Sequence, residues 1–228
     1  MNIAIITCNI NNYEYYKEFT HLKDYNKLSW FYITDKDIKS QFWNVINIKS
    51  IINNDEYDNR LLCKYSKMKH HIIFPTFQYY VWIDSSFPIS NDNFVQDIIN
   101  LTQNNYLVLY QHNSSRKLRN IRNEAIRCSK LKSVNKTILE KQINDYKDYN
   151  DPKGILYSSG IFIRKNDPKL NSMFDDWFFH NKTYTTRDQI SLPYVLFKHN
   201  ISPSHVIKEH INKNTLVGPK KMKPRSNR

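Results

Sequence analysis

Six short runs of apolar and β-branched residues, separated by stretches of helical periodicity, constrain this chain more than any other feature. They are residues 2–7 (NIAIIT), 28–34 (LSWFYIT), 43–48 (WNVINI), 79–84 (YYVWID), 106–111 (YLVLYQ) and 155–164 (ILYSSGIFIR). The first shows no alternation of apolar and polar residues, as expected of a strand buried on both faces. Helical patterns are read over residues 13–22, 56–73, 92–101, 116–149, 168–181 and 187–199, with Pro193 expected in a first turn or at a kink. Strands alternating with helices imply an α/β fold, a single Rossmann-like domain whose central sheet is mostly parallel and flanked by helices. In such folds ligands bind outside the carboxyl ends of the strands. No repeat and no linker divides the chain, so one domain is expected over residues 1–217, followed by a disordered basic tail over 218–228 (GPKKMKPRSNR).

Charge is a poorer guide than it first looks. The formal net charge is +13, from 34 Lys+Arg against 21 Asp+Glu. Residues 1–100 carry 10 basic and 11 acidic side chains, so nearly all the excess lies beyond them, in 116–141 and in the tail from Lys208. The chain also holds 28 Asn, 27 Ile and 25 Lys, residues with AT-rich codons, so part of the lysine excess reflects genome composition. A nucleic-acid-binding protein using the 116–141 segment and the tail is the reading that charge alone suggests, but no nucleic-acid motif accompanies it.

Other classes are excluded or set aside. Only 3 glycines are present, too few for a glycine-rich phosphate loop. There is no Gly-x-Ser-x-Gly elbow, Cys-x-x-Cys pair or His-Glu-x-x-His helix. Cys8, Cys63 and Cys128 are odd in number and widely spaced, which suits a reducing compartment rather than a disulfide framework. No apolar run approaches the ~18–20 residues of a membrane span. The first residues lack a basic n-region and a cleavage site, so a cytoplasmic location is expected (host cytoplasm if the gene is viral), not secretion.

Several residue groups carry candidate chemistry. Asp84 closes the run YYVWID and is followed by Ser85 and Ser86. A carboxylate at that strand end can hold a divalent cation bridging a diphosphate, or accept a ribose hydroxyl hydrogen bond. Plain turn chemistry is the alternative. Upstream, Arg60, Lys64, Lys67 and His71 recur at i, i+4, i+7 and i+11, one face of a helix, beside an apolar stripe of Leu61, Tyr65, Met68 and Ile72. Such a stripe can grip a pyrophosphate or be a solvated face. Arg187-Asp188-Gln189-Ile190-Ser191 opens an apolar helix; Asp188 is either an N-cap or a catalytic carboxylate, with Arg187 fixing a second group. Ser158-Ser159-Gly160 within a strand marks the close approach of a ligand or a bulge.

The ordered set of motifs is more telling than any one of them. It comprises Thr7-Cys8-Asn9 after the opening strand; Phe31-Tyr32-Ile33-Thr34-Asp35; Arg60 with Lys67-Met68-Lys69-His70-His71; and Trp82-Ile83-Asp84-Ser85-Ser86. His112 with Arg116, Glu124-Ala125 and Cys128 follow, then Gly160-Ile161-Phe162-Ile163-Arg164 and Trp177 with Arg187-Asp188-Gln189-Ile190-Ser191. Over about residues 3–200 the set resembles a glycosyltransferase family of the GT-A fold, which occurs as plant mucilage and pollen-type enzymes, bacterial capsule enzymes and single domains in large DNA viruses.

The resemblance implies transfer of a hexosyl or pentosyl group from a nucleotide sugar, a UDP sugar favoured, to a glycan or glycoconjugate hydroxyl. It implies that Thr7 and Asn9 contact base and ribose, and that Arg60 and Lys67 neutralise the diphosphate, with His71 and Ser85 on the donor side. Asp84 with Ser86 would bind ribose or a Mn²⁺ or Mg²⁺ ion. Asp188 would face the reacting sugar, as a base if configuration inverts or as an orienting group if it is retained. His112, Arg116, Ser159, Gly160, Arg187 and Gln189 would border the acceptor, with peripheral membrane contact compatible with the basic segment. Three departures stand out: His70-His71 stands where the family often has a Pro-His pair, which leaves His71 as the matching histidine; Ser85 replaces the family's common Gly after Asp84; and Ser86 stands where an Asp-x-Asp motif has its second carboxylate. A catalytically inactive nucleotide-sugar-binding domain is therefore a second alternative.

Overall fold

The computed structural model describes residues 1–52, 57–112, 120–149, 155–208 and 216–217. Seven strands form one sheet: β1 (Ile3–Asn9), β2 (Ser29–Thr34), β3 (Asn44–Asn47), β4 (Tyr79–Ile83), β5 (Leu107–Gln111), β6 (Tyr157–Lys165) and β7 (His205–Lys208), in the order β3-β2-β1-β4-β6-β5-β7. β6 runs antiparallel to both its neighbours, while the other pairings are parallel. The helices are α1 (Ile48–Ile51), α2 (Asn59–Met68), α3 (His70–Ile73), α4 (Phe94–Asn104), α5 (Ile121–Cys128), α6 (Lys136–Asp145), α7 (Pro168–Thr183) and α8 (Asp188–Lys198). The fold is the α/β arrangement expected from the run pattern. Among the described residues no helix is long and apolar enough to cross a membrane.

The sheet is covered on both faces because its central strands are apolar throughout. Every residue of β1 is buried. In β4, Tyr80 and Trp82 join one core with α2, α7 and α8, whereas Val81 and Ile83 join the other with Phe19, Trp43 and α4. That is the two-residue alternation of a strand between two apolar layers. A third cluster, around Ile121, Cys128, Leu139, Tyr146 and Ile190, seats α5 and α6 against α8. Helix starts follow local capping chemistry: Asp58 accepts from Leu61 N–H, Asn120 from Asn123 N–H, Asn135 from Ile138 N–H, and Asp167 from Lys169 and Leu170 ahead of Pro168.

Several expectations need correction. Residues 13–22 form no helix. Asn11 and Asn12 adopt left-handed φ values of 55° and 51°, and the Asn9 amide brackets Glu14, accepting from its N–H at 3.0 Å and donating to its carbonyl at 2.8 Å. The chain is thereby turned back as a loop across the strand ends, where its aromatic residues pack on the sheet instead of on a helical neighbour. The helix read over 56–73 breaks at Lys69 (φ −97°, ψ 32°), and the one read over 116–149 is two helices whose leading part, 113–119, lies outside the described residues. β6 is continuous, but it bulges: Leu109 pairs with Phe162 and Tyr110 with Ser158, leaving Ser159, Gly160 and Ile161 unpaired on that side. Pro193 sits inside α8. β7 was not anticipated, and the tail from 218 lies outside the described residues.

Candidate active site

The C-terminal edge of the parallel strands gathers the polar groups. β1 ends at Asn9, and Asp84 follows directly on β4; β6, running the other way, carries Ser159 and Gly160 near its start there, and α8 starts there with Asp188. Asp84 N–H donates to the Gly160 carbonyl at 2.7 Å, so the bulge ties the two strand ends together. From the flanking α2, Lys67 donates to Asp188 Oδ2 at 2.9 Å and to Ser159 Oγ at 3.1 Å, and its Nζ stands 3.6 Å from Asp84 Oδ1. Lys64 Nζ lies 2.6 Å from the same Asp188 oxygen, to which the Ser159 hydroxyl also donates at 2.8 Å. Asp188 Oδ1 is buried and has no hydrogen-bond partner.

The electrostatics of this cluster run one way. Although burial opposes its charge, Asp188 is held well below the usual carboxylate range by Lys64 and Lys67. Burial likewise works against the charge on Lys67, but Asp188 and Asp84 outweigh it and keep the ammonium raised. Lys64 is pulled down by burial, only partly opposed by Asp188, with Lys67 adding to the pull. The result is a carboxylate ionised at every working pH, clamped by two cations.

Beside the cluster lies a small pocket lined by Thr7, Tyr15, Lys17, Phe19, Tyr32, Trp43, Ile83, Asp84, Ser85 and Phe87. Thr7 Oγ1 is buried there without a hydrogen-bond partner, as is Ser86 Oγ nearby. Lys17 reaches the Ser85 carbonyl at 2.9 Å. Gly160 is needed at this point: a Cβ on it would stand 2.4 Å from Phe87 Cε2 and 3.2 Å from Asp84 Oδ2. A roomier cleft of about 670 Å³, lined by Met1, Gln78, Lys165 and Asn166 among others, is at the opposite edge of the sheet and holds none of these groups.

The structure brings together Thr7, Lys67, Asp84, Ser85, Ser86, Ser159, Gly160 and Asp188. It places others apart. His71 sits at the far edge, beyond the Lys69 break, where it accepts from Arg164 at 3.1 Å through Nδ1 and faces Asp175 at 3.1 Å through Nε2. Arg164 pairs with Tyr80, near the start of β4, so this trio cannot reach a ligand beside Asp84. Asn9 shares its edge but spends its amide on Glu14 and on the Tyr32 hydroxyl. Arg60 stands exposed one turn before Lys64. Arg187 bonds Cys128 Sγ and stands 3.8 Å from the buried Glu124 carboxylate, which makes it a brace between α5 and α8. Gln189 is half-buried beside Asp188, His112 follows β5 on the same edge, and Arg116 lies outside the described residues.

A divalent cation does not fit the residues around Asp84. Among the described residues no group of three or more His, Cys, Asp or Glu could hold a metal ion. One of the two Asp84 oxygens, Oδ1, already accepts from Trp82 Nε1 at 2.7 Å and faces the Lys67 ammonium at 3.6 Å. A diphosphate can supply further oxygens to a hard cation, but the buried Lys67 ammonium beside Asp84 repels a divalent charge placed there.

Lys17, Tyr15 and Phe87 line the candidate site without having been singled out in the sequence, and Lys64 was named there only as one member of the cationic stripe. Lys64 was visible in the cationic stripe, since its spacing from Lys67 put both on one face; choosing between it and Arg60 needed the position of Asp188.

Comparisons with known proteins give the family and the fold. A family model described as TOD1/MUCI70, glycosyltransferase-like domain, matches residues 15–216. No curated protein matches. Among solved structures, WbbM, a bifunctional glycosyltransferase, aligns with TM-score 0.51 at 11% identity, over 91% of this chain and 38% of WbbM. A 4-diphosphocytidyl-2C-methyl-D-erythritol synthase from Anaerococcus prevotii aligns with TM-score 0.51 at 10% identity, over 99% of this chain and 94% of its own. A glycosyltransferase involved in glycosylation of the major capsid of PBCV-1 gives TM-score 0.44 at 9% identity, over 92% and 81%. At these identities the likenesses speak to the fold, which a nucleotidyl-handling enzyme and a sugar-handling one share.

Proposed function

The chain belongs to the TOD1/MUCI70 glycosyltransferase-like family, and from that premise we propose that it moves a sugar from a nucleotide-sugar donor, a UDP sugar, to a hydroxyl of a glycan or glycoconjugate. The observation that carries this reading is the Lys64–Asp188–Lys67–Asp84 cluster, set at the strand edge where α/β folds bind ligands and next to a pocket with an aromatic wall. Base and ribose would lie over the strand edge beside Asp84, outside this narrow pocket, with the diphosphate toward the lysines.

In the reaction the bond between the anomeric carbon and the diphosphate oxygen breaks, and the nucleoside diphosphate leaves with the bonding pair. The acceptor oxygen bonds the anomeric carbon and gives up its proton. Negative charge grows on the leaving group, so cations fixed beside it lower the barrier. Asp188 would orient the sugar and stabilise the positive charge that develops at the anomeric carbon.

A thermal-shift screen of UDP, GDP and CMP sugars tests the proposal, because a ligand of the native state raises the melting temperature by mass action. A rise with one nucleotide series, followed by release of its leaving nucleotide (UDP, GDP or CMP) on adding acceptor, is the expected result. A flat response across the series would refute it, and binding without turnover would leave a donor-binding domain only. Gly160→Ala should weaken donor affinity by about tenfold, because the added carbon displaces the Phe87 ring and crowds Asp84. Unchanged affinity in Gly160→Ala would remove that pocket wall from the donor site.

A further inference from the structure

We infer that the Lys64 and Lys67 ammonium groups supply the counter-charge that a donor diphosphate needs, in place of a divalent metal ion, so that donor binding is metal-independent. The inference rests on the proposed transferase reading and goes beyond it by naming what neutralises the diphosphate.

Lys67 occupies the place a cation would take. Its Nζ is 3.6 Å from Asp84 Oδ1 and cannot readily withdraw, because its side chain is 5% exposed and held by Asp188 and Ser159. The rings of Trp82 and Trp177 flank it at 5.7 and 5.9 Å. A metal ion on Asp84 would have to sit against this fixed positive charge.

The lysines also have donors to offer. An ammonium carries three N–H groups. Lys67 gives two of them to Asp188 and Ser159, and the 3.6 Å gap to Asp84 is longer than a hydrogen bond, which leaves the third for a phosphate oxygen. Lys64, whose ion pair is with Asp188, is 14% exposed and is the more open of the two. Lys17, at the Ser85 carbonyl, adds a third cation on the pocket side of Asp84. A phosphate oxygen can take the third Lys67 N–H, whereas Asp84 Oδ1, already accepting from Trp82 and facing Lys67, offers little to a metal.

The cluster is built for an exchange of partners. Both lysines converge on one oxygen of Asp188 in the free protein. A diphosphate bearing several charges can draw them off that single carboxylate, so the lysines meet the donor already oriented and Asp188 is unmasked toward the sugar as the donor arrives.

The experiment uses the full chain with UDP and, as a base-independent probe, inorganic pyrophosphate, each titrated by calorimetry and thermal shift in excess EDTA and again in MnCl₂. The expected result is equal affinity in both conditions, together with an electron paramagnetic resonance titration in which Mn²⁺ stays free at concentrations that saturate true metal sites. Lys67→Gln and Lys64→Gln should each lower affinity by tenfold or more in EDTA, while Lys67→Arg, which keeps the charge, should retain it. Circular dichroism separates lost binding from lost folding in the Gln variants. Binding of UDP only when Mn²⁺ is present would overturn the inference and leave the transferase reading intact. Failure of UDP and pyrophosphate alike to bind, with or without Mn²⁺, would overturn the inference, and a flat response to the UDP, GDP and CMP sugars as well would overturn the transferase reading.

Discussion

Asp188→Asn is expected to slow sugar transfer by about a hundredfold or more while leaving nucleoside-diphosphate affinity unchanged or somewhat tighter. The two halves of this expectation have one cause. In the free protein the Asp188 carboxylate holds Lys64 at 2.6 Å and Lys67 at 2.9 Å. Neutralising it releases both ammonium groups from their competitor, so a diphosphate meets them with less to displace. The sugar, in contrast, would lose the buried carboxylate proposed to answer a positive anomeric carbon. The pH profile discriminates further. Because Lys64 and Lys67 depress the Asp188 pKa, the carboxylate contributes stability above its unfolded value of about 3.9 and loses it only as the pH falls toward the lower folded value. The free enzyme should therefore show no acid limb in kcat/KM from Asp188 between about pH 5 and 8. Comparing kcat, diphosphate affinity and melting temperature of Asp188→Asn with the parent checks all three. A normal kcat with a lowered melting temperature would make Asp188 a purely structural partner of the lysines.

Much of this arrangement was legible in the sequence, and the boundary of legibility has a physical form. Unbroken apolar runs announced the buried strands, since β1 and β4 lie between two apolar layers, and the carboxylate at the end of YYVWID announced the ligand edge. The i, i+4, i+7 spacing put Lys64 and Lys67 on one face. It extended wrongly to His71 because a single residue, Lys69, leaves the helical region, and the next turn lies at the far edge of the sheet, against Arg164 and Asp175 and away from Asp84. Residues 13–22 had the composition of a helix, but Asn11, Asn12 and the Asn9 bracket fixed a loop, and side-chain hydrogen bonds of that kind leave no periodic trace. β7 is four residues long and pairs only with β5, too short to carry a pattern of its own. The net charge misdirected most. The cations at the site, Lys17, Lys64 and Lys67, lie in residues 1–100, where acidic side chains outnumber basic ones by 11 to 10. Field strength at a site depends on which charges are buried together, not on how many the chain carries.

Trp177→Ala should destabilise the fold by about 3–5 kcal/mol, a drop of about 6–20 °C in Tm for a domain of this size. Trp177 is fully buried, meets Phe174 and Phe162 edge-on at 5.5 and 6.1 Å, and donates through Nε1 to Ser191 Oγ at 3.0 Å. It is the joint between α7 and α8, and Asn181 completes it by bonding both the Trp177 carbonyl and the Ser191 hydroxyl. Removing the indole leaves a cavity in the core beneath the first turn of α8 and takes one partner from a buried hydroxyl. Because Asp188 begins that helix and the Lys67 ammonium lies 5.9 Å from the indole, the cavity opens directly under the charged cluster. Trp177→Phe keeps a ring there and should lose about half as much stability. Chemical denaturation gives the stability change, and nucleotide titration of the still-folded variants gives its reach into the site. The coupling predicts weaker diphosphate binding in Trp177→Ala than in Trp177→Phe at a temperature where both are folded. A melting temperature within about 2 °C of the parent would mean that α7 and α8 are held by contacts other than this indole.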